Sequence, residues 1–302
     1  MTETVEEIKH RGTDYALLFV LACLWASSFT FIKIGVGTIS PLTFMAARVV
    51  IAALCLSAIM QFRRSRFPRH SRFWKNVFVQ SILGIVVPFG FIGWAEVSID
   101  ASLATILNST VPIFTFLLTV FVTRHEAVPA RKFLGVAVGM AGACAIVGWD
   151  AFNDVGQQVA GQLKMLVASL GYAGAAIYGR RLTDADPITT ATGMMYCAVA
   201  VLVPLSVIAD APWTLTPSAD SILALIGLAV FSTAIAYIIY FHLIHALGSV
   251  GTTAQSYLRV PLGVMIGMIF LGETLTLVDW FGTACILFGV AAMTVPKRKT
   301  QA

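Results

Sequence analysis

The sequence predicts an all-α integral membrane protein with ten transmembrane helices in two inverted five-helix repeats. Three observations carry that prediction. Only 12% of the 302 residues are charged and 58% are hydrophobic, against a charged share of about 25% in soluble domains. The apolar residues fall in runs close to the ~20 needed to cross a bilayer core. A spaced set of residues near the end of the first half recurs near the end of the second.

By run length the first five spans are about Asp14–Ile34, Pro41–Met60, Asn76–Val97, Ala101–Val122 and Lys132–Trp149. The second five are about Gln162–Gly179, Pro187–Ala209, Ser221–His245, Val250–Leu271 and Val278–Val295. The connections are short and carry breaker residues, as in Gly35–Pro41, Asp184–Pro187 and Ala211–Pro217. The start, MTETVEEIKHRGTD, is too acidic for a signal-peptide n-region, and no A-x-A-like cleavage site follows the first apolar run. That run is therefore read as a retained helix.

Charge sets the orientation. The net charge of +5 is spread in short clusters between spans, which reads as topology and not as a nucleic-acid surface. The loop after span 2 holds Arg63, Arg64, Arg66, Arg69, Arg72 and Lys75. Arg124, Arg131 and Lys132 follow span 4, Arg180 and Arg181 follow span 6, and Lys297, Arg298 and Lys299 close the chain. The odd-numbered connections hold only Lys33 and Lys164, while Glu96, Asp100, Asp150, Asp154, Asp210, Asp220, Glu273 and Asp279 fall on that side. Both termini are expected to be cytoplasmic.

The repeat shows in spacing. Glu126, Gly135 and Gly142 recur as Glu273, Gly282 and Gly289, with intervals of nine and seven in both cases. The same shift of 147 pairs Lys33 with Arg180 and Trp25 with Tyr172. Pro41 pairs with Pro187 at 146, and Pro112 with Pro261 at 149. Five spans per half is an odd number, so the second half must cross in the opposite sense, an arrangement common in secondary transporters. The division is 1–149 and 162–296, joined by an outer linker at 150–161.

WASSFTFIK in span 1, SPLTFMAAR opening span 2, LNSTVPIFTFLL in span 4, VPLGVMIGMIFLGETL in span 9 and G-x6-G in span 10 resemble the drug/metabolite transporter superfamily, in its EamA-like ten-helix branch. The resemblance runs from about Ala16 to Val295. It implies two EamA-like repeats around a central cavity, and substrates such as amino acids, nucleosides or other amphipathic metabolites or drugs, usually exported. One departure stands out: Arg124-His125-Glu126 replaces the more typical pattern kept at Leu271-Gly272-Glu273.

Site candidates are polar or aromatic side chains deep in the spans. Arg48 and Arg259 are the two deep ionisable residues, and such charges face a cavity or a partner. Arg48 is about 10 Å below the outer face, shallow enough to snorkel, or to serve structurally by bonding backbone carbonyls or a neighbouring helix. Arg259 lies about 14 Å deep and shares a helix face with Gln255 and Thr252. Asn108, with Thr105 and Thr115, forms a matching stripe on span 4. A substrate carboxylate could pair with Arg259 through its fork; the alternative is a bond to carbonyls freed by Pro261. Trp25 and Tyr172 lie near mid-membrane, where an aromatic polar tip needs a partner or a wet cavity; they read either as cavity lining or as helix packing, and span 8 adds Tyr237 and Tyr240.

Glu126 and Glu273 read as helix-end clamps on backbone amides, or as gate or proton-carrying residues. His242 and His245 read as interfacial. The five scattered cysteines, none in a C-x-x-C pair, suit packing and not a disulfide or zinc framework. Gly135-x3-Gly139, Gly263-x3-Gly267 and the bend at Pro88 serve packing or motion.

The reading is a secondary transporter of the bacterial inner (plasma) membrane, with the alternative of an intramembrane lipid-modifying enzyme. No Walker A, H-E-x-x-H or Asp-rich metal motif occurs in the sequence. No catalytic residue, metal or cofactor is expected. The expected partners are a small-molecule substrate and the lipid bilayer, with no nucleic acid; a homodimer is compatible with the sequence.

Overall fold

The computed structural model describes residues 5–123, 130–152, 156–182, 185–240, 242–243 and 255–294. Glu126, His245 and Thr252 lie outside them. The helices are α1 (Val5–Gly35), α2 (Pro41–Phe62), α3 (Ser71–Glu96), α4 (Ala101–Leu118, prolonged by Thr119–Thr123), α5 (Ala130–Phe152) and α6 (Gly156–Tyr178). They continue with α7 (Pro187–Ala209), α8 (Ala219–Tyr240), α9 (Gln255–Ile266, prolonged by Gly267–Leu271) and α10 (Leu277–Thr294). No strand occurs among the described residues. By length and hydropathy α1, α2, α3, α4, α7 and α8 can each cross a membrane, while α5, α9 and α10 carry the shorter apolar stretches Phe133–Ile146, Leu258–Leu271 and Leu277–Ala292. α7 has the predicted bounds. α1 begins earlier than predicted because its first polar turns stay helical beyond the apolar run.

Local chemistry sets the helix ends. Proline opens α2 and α7, where its missing N–H costs nothing. Asp186 caps α7 by accepting from the Thr189 N–H at 2.9 Å. The start of α2 is capped from a distance: Asp210, just past α7, accepts from the Thr43 N–H at 2.8 Å. Gly272, at φ +68°, stops α9, a conformation that a Cβ would strain.

Three of the helix pairs that join the halves bring together counterpart helices of the two repeats, and each runs antiparallel. α2 lies on α7, with the Asp210–Thr43 bond tying the end of one to the start of the other. α4 lies on α9, where Ser102, Thr105 and Asn108 meet Val264, Gly263 and Arg259 in reverse order. α5 lies on α10 at the repeated glycines: Gly142 faces Gly282, and Gly135 and Gly139 face Gly289. Further contacts also exchange with the halves. α1 packs on α8 and α9, as α6 packs on α3 and α4. Small residues bring these backbones together because lipid supplies no hydrophobic drive between apolar helices.

Among the described residues, four wide turns with i to i−5 bonding follow the same exchange. They occupy Ile82–Val86 in α3 and Val230–Ile235 in α8, and Thr119–Thr123 in α4 and Gly267–Leu271 in α9. In both cases the second begins 148 residues after the first. The turn in α3 precedes Pro88, whose ring would meet the carbonyl four residues back in a regular helix. In α8 the Thr233 hydroxyl donates to the Leu228 carbonyl, five residues back, at 2.8 Å. Outside the packed faces, Phe62, Ile208, Phe270 and Phe288 are exposed, an apolar surface suited to lipid.

Candidate functional site

The interior between α1, α2, α4, α6, α8 and α9 holds the polar and aromatic side chains that the sequence singles out. α4 breaks there. Pro112 has no N–H, so the chain turns at Ser109 and Thr110 before helix resumes at Val111. The Ser109 and Thr110 hydroxyls donate to the Ile106 and Leu107 carbonyls at 2.5 and 2.6 Å. Asn108 is the last residue before this break.

Asn108 meets Arg259. Nη2 of Arg259 donates to Asn108 Oδ1 at 2.7 Å. The arginine therefore bonds a side chain across the α4–α9 crossing. Arg259 Nε and Asn108 Nδ2 are buried and have no hydrogen-bond partner. Two donors thus remain unspent on the paired residues, and leaving such groups unpaired away from water costs about 1–3 kcal/mol each. Gln255 is buried one turn earlier on α9. Thr105 instead bonds its own helix at the Ala101 carbonyl, 2.8 Å away, and its side chain covers Gly263.

Arg48 is held differently. Its Nε donates to Thr233 Oγ1 on α8 at 3.0 Å, and its guanidinium carbon sits 3.7 Å from the Phe89 ring centroid on α3. Stacking on an aromatic face suits a weakly hydrated guanidinium. Tyr172 of α6 lies within electrostatic reach of both Arg48 and Arg259. Trp25 of α1 packs against Tyr237 and Tyr240 of α8, with ring centroids 6.5 and 5.3 Å away. The structure thus brings six of the seven candidate residues near one another: Arg259 with Asn108, Tyr172 within reach of both arginines, and Tyr237 between Arg48 and Trp25; Gln255 is placed by its burial on α9 alone. Sequence reasoning does not find Thr233 or Phe89, because neither carries a local signal on its own helix.

A second cluster lies at the α3–α4 connection. Glu273 accepts from the Ala101 and Ser102 N–H groups at 2.8 and 2.9 Å, and from the Ser102 hydroxyl at 2.5 Å. It is the clamp on the first turn of α4, where the helix dipole also favours a carboxylate. Lys33 donates to the Glu96 and Ile99 carbonyls at 3.0 and 2.6 Å and lies 3.8 Å from Asp100. Partial burial, reinforced by Glu273, pushes the Asp100 carboxyl up, while Lys33 pulls the other way. Glu96 is fully buried, which its position at a helix end does not suggest. On the other side of the molecule His242 pairs with Asp14 at 2.9 Å.

Apolar helices joined by small-residue crossings, with a polar layer at a helix break, define a multi-pass helical membrane protein with an internal polar site. The EamA-like transporter family model matches residues 14–148 and again 159–295, and the chain belongs to that family. It is a membrane transporter. It is 28% identical over 286 residues to the uncharacterized inner membrane transporter YedA of Escherichia coli, spanning 94% of this chain and 91% of that one. The uncharacterized transporter YoaV of Bacillus subtilis is 23% identical over 273 residues, with 88% and 91% covered. A solved crystal structure shares the fold with a TM-score of 0.62 at 17% identity, covering 94% of this chain and 98% of its own.

Proposed function

We propose that the protein is a secondary transporter of the inner membrane that exports small amphipathic metabolites carrying a carboxylate, by alternating access. The observation that carries this reading is the Arg259–Asn108 pair at the α4 break, in which each residue keeps an unspent N–H donor. A carboxylate between them would accept a charge-assisted bond from the guanidinium and one from the amide. Trp25, Tyr172 and Tyr237 would cover the apolar part of the substrate, while Arg48, held by Thr233 and Phe89, would bias the site toward anions.

The moving parts are two inverted repeats, 1–149 and 162–296; the segment 150–161 between them includes the end of α5 and the first turns of α6. The antiparallel α2–α7, α4–α9 and α5–α10 pairs support that division, as do the wide turns at a constant offset. Discontinuous helices at a repeat interface are a common form of transporter site. Both termini face the cytoplasm on the Lys/Arg distribution. Membership of a transporter family favours transport over the intramembrane-enzyme alternative.

A growth screen under toxic metabolite loads tests export. Cells overproducing the protein are expected to tolerate at least one carboxylate-bearing amphipath, such as an amino-acid analogue, better than control cells. Protection only against cationic compounds would contradict the proposed substrate class.

A further inference from the structure

Glu96 is the last residue of α3 and has no exposed surface. Neither carboxyl oxygen has a hydrogen-bond partner. An ionised carboxylate in such a place would face a large desolvation cost with no bond to offset it. The groups around it do not provide one. Lys33 of α1 spends its ammonium on the backbone carbonyls of Glu96 and Ile99 and on Asp100. Glu273, beyond α9, is occupied by the α4 amides and adds a like charge to the surroundings of Glu96. Arg48 of α2 is within electrostatic range but is bound to Thr233 and stacked on Phe89. From α6 the neighbour is Gly161, packed on the Ala95 carbonyl and Ile99. Asp100 completes the charged set.

We propose that Glu96 is a proton-binding site, occupied by a proton in this conformation, and that loss of the proton favours the conformation open to the other side of the membrane. A neutral carboxylic acid removes the cost of burial. Once ionised, Glu96 would be drawn to Lys33, whose ammonium already lies at the Glu96 main chain. Following that pull would shift the end of α3, and the helix has a place to bend at its Ile82–Val86 wide turn and Pro88. The same helix carries Phe89, the platform under Arg48. A movement there would reach the interior layer through packed side chains. The conformational half of this proposal rests on the transporter reading; the protonation half does not.

Infrared difference spectra of the purified protein in lipid, titrated from about pH 6 to about pH 10, test protonation. Wild type is expected to show the carbonyl stretch of a protonated carboxyl that disappears on alkalinisation. Glu96→Gln should lack it, and Asp100→Asn should keep it. Should Glu96→Gln fail to insert, Glu96→Asp should retain a titrating band at a shifted frequency. Absence of the band from wild type near neutral pH, or its persistence unchanged in Glu96→Gln, would overturn the assignment. A Ser109→Cys reporter, in protein whose five native cysteines are replaced, reads the conformational half. The side from which an impermeant maleimide reaches it should change with pH in wild type and not in Glu96→Gln. Labelling from both sides with no pH dependence would overturn the coupling while leaving transport intact, whereas labelling from one side alone would count against alternating access itself.

Discussion

Gly289→Val is expected to yield almost no folded protein. At this position a Cβ would run into the Gly135 carbonyl oxygen and come within 2.9 Å of the Gly139 Cα and N. These obstacles are backbone atoms of α5, so no side-chain rotation can clear them. The two helices must separate, and the loss spreads along the whole α5–α10 crossing, including the Gly142–Gly282 contact. Overpacking commonly costs 1–3 kcal/mol; a backbone-limited clash at a close crossing should exceed about 3 kcal/mol. Gly289→Ala should be intermediate. Gel filtration with fluorescence detection in mild detergent, with a thermal melt, reads the effect. A monodisperse Gly289→Val protein melting with wild type would mean that the close approach is not what holds α5 to α10.

Arg259→Gln is expected to insert and fold but to lose substrate affinity by roughly a hundredfold, and Arg259→Lys by roughly tenfold, as hydrogen bonds to a charged group worth about 1.5–3 kcal/mol imply. Lysine keeps the charge but not the fork. Glutamine keeps neither, yet its amide can still reach toward Asn108. Asn108→Asp is the sharper variant. It places a carboxylate 2.7 Å from the guanidinium, where Asn108 Oδ1 now stands, so the protein would supply internally what the substrate supplies in wild type. Binding should fall as far as in Arg259→Gln, with thermal stability preserved or raised. The measurement is binding of the compound that gives the largest protection in the growth screen. Unchanged affinity in a well-inserted Arg259→Gln protein would remove Arg259 from the site.

Much of this architecture is legible in the sequence because a membrane protein must satisfy its backbone within helices and because repetition leaves a regular trace. The nine-and-seven spacing of Glu, Gly and Gly marks residues that meet in space: Gly142 with Gly282, and Gly135 with Gly289. Arg259 and Asn108 are found by the same route, as polar stripes on counterpart helices. What the sequence hides depends on distant chain. Nothing near Glu96 announces burial; it follows from Gly161 of α6 closing over the end of α3 and Lys33 reaching in from α1. Glu273 can be read as a clamp, but its amides lie 171 and 172 residues away. Pro88 marks the bend in α3, whereas the matching wide turn in α8 contains no proline and is not signalled. The Arg48 platform is hidden for the same reason, since Phe89 and Thr233 come from two other helices.

The central claim is that the polar layer around Arg259 and Asn108 opens to one side of the membrane at a time. Ser109, buried at the α4 break beside Asn108, reports on it directly. Its cysteine variant, with the native cysteines replaced, can be treated with a membrane-impermeant maleimide in right-side-out and in inside-out vesicles. The account predicts labelling in both preparations, slowed in both by saturating transported substrate. Labelling in only one preparation, under every substrate and pH condition, would contradict it.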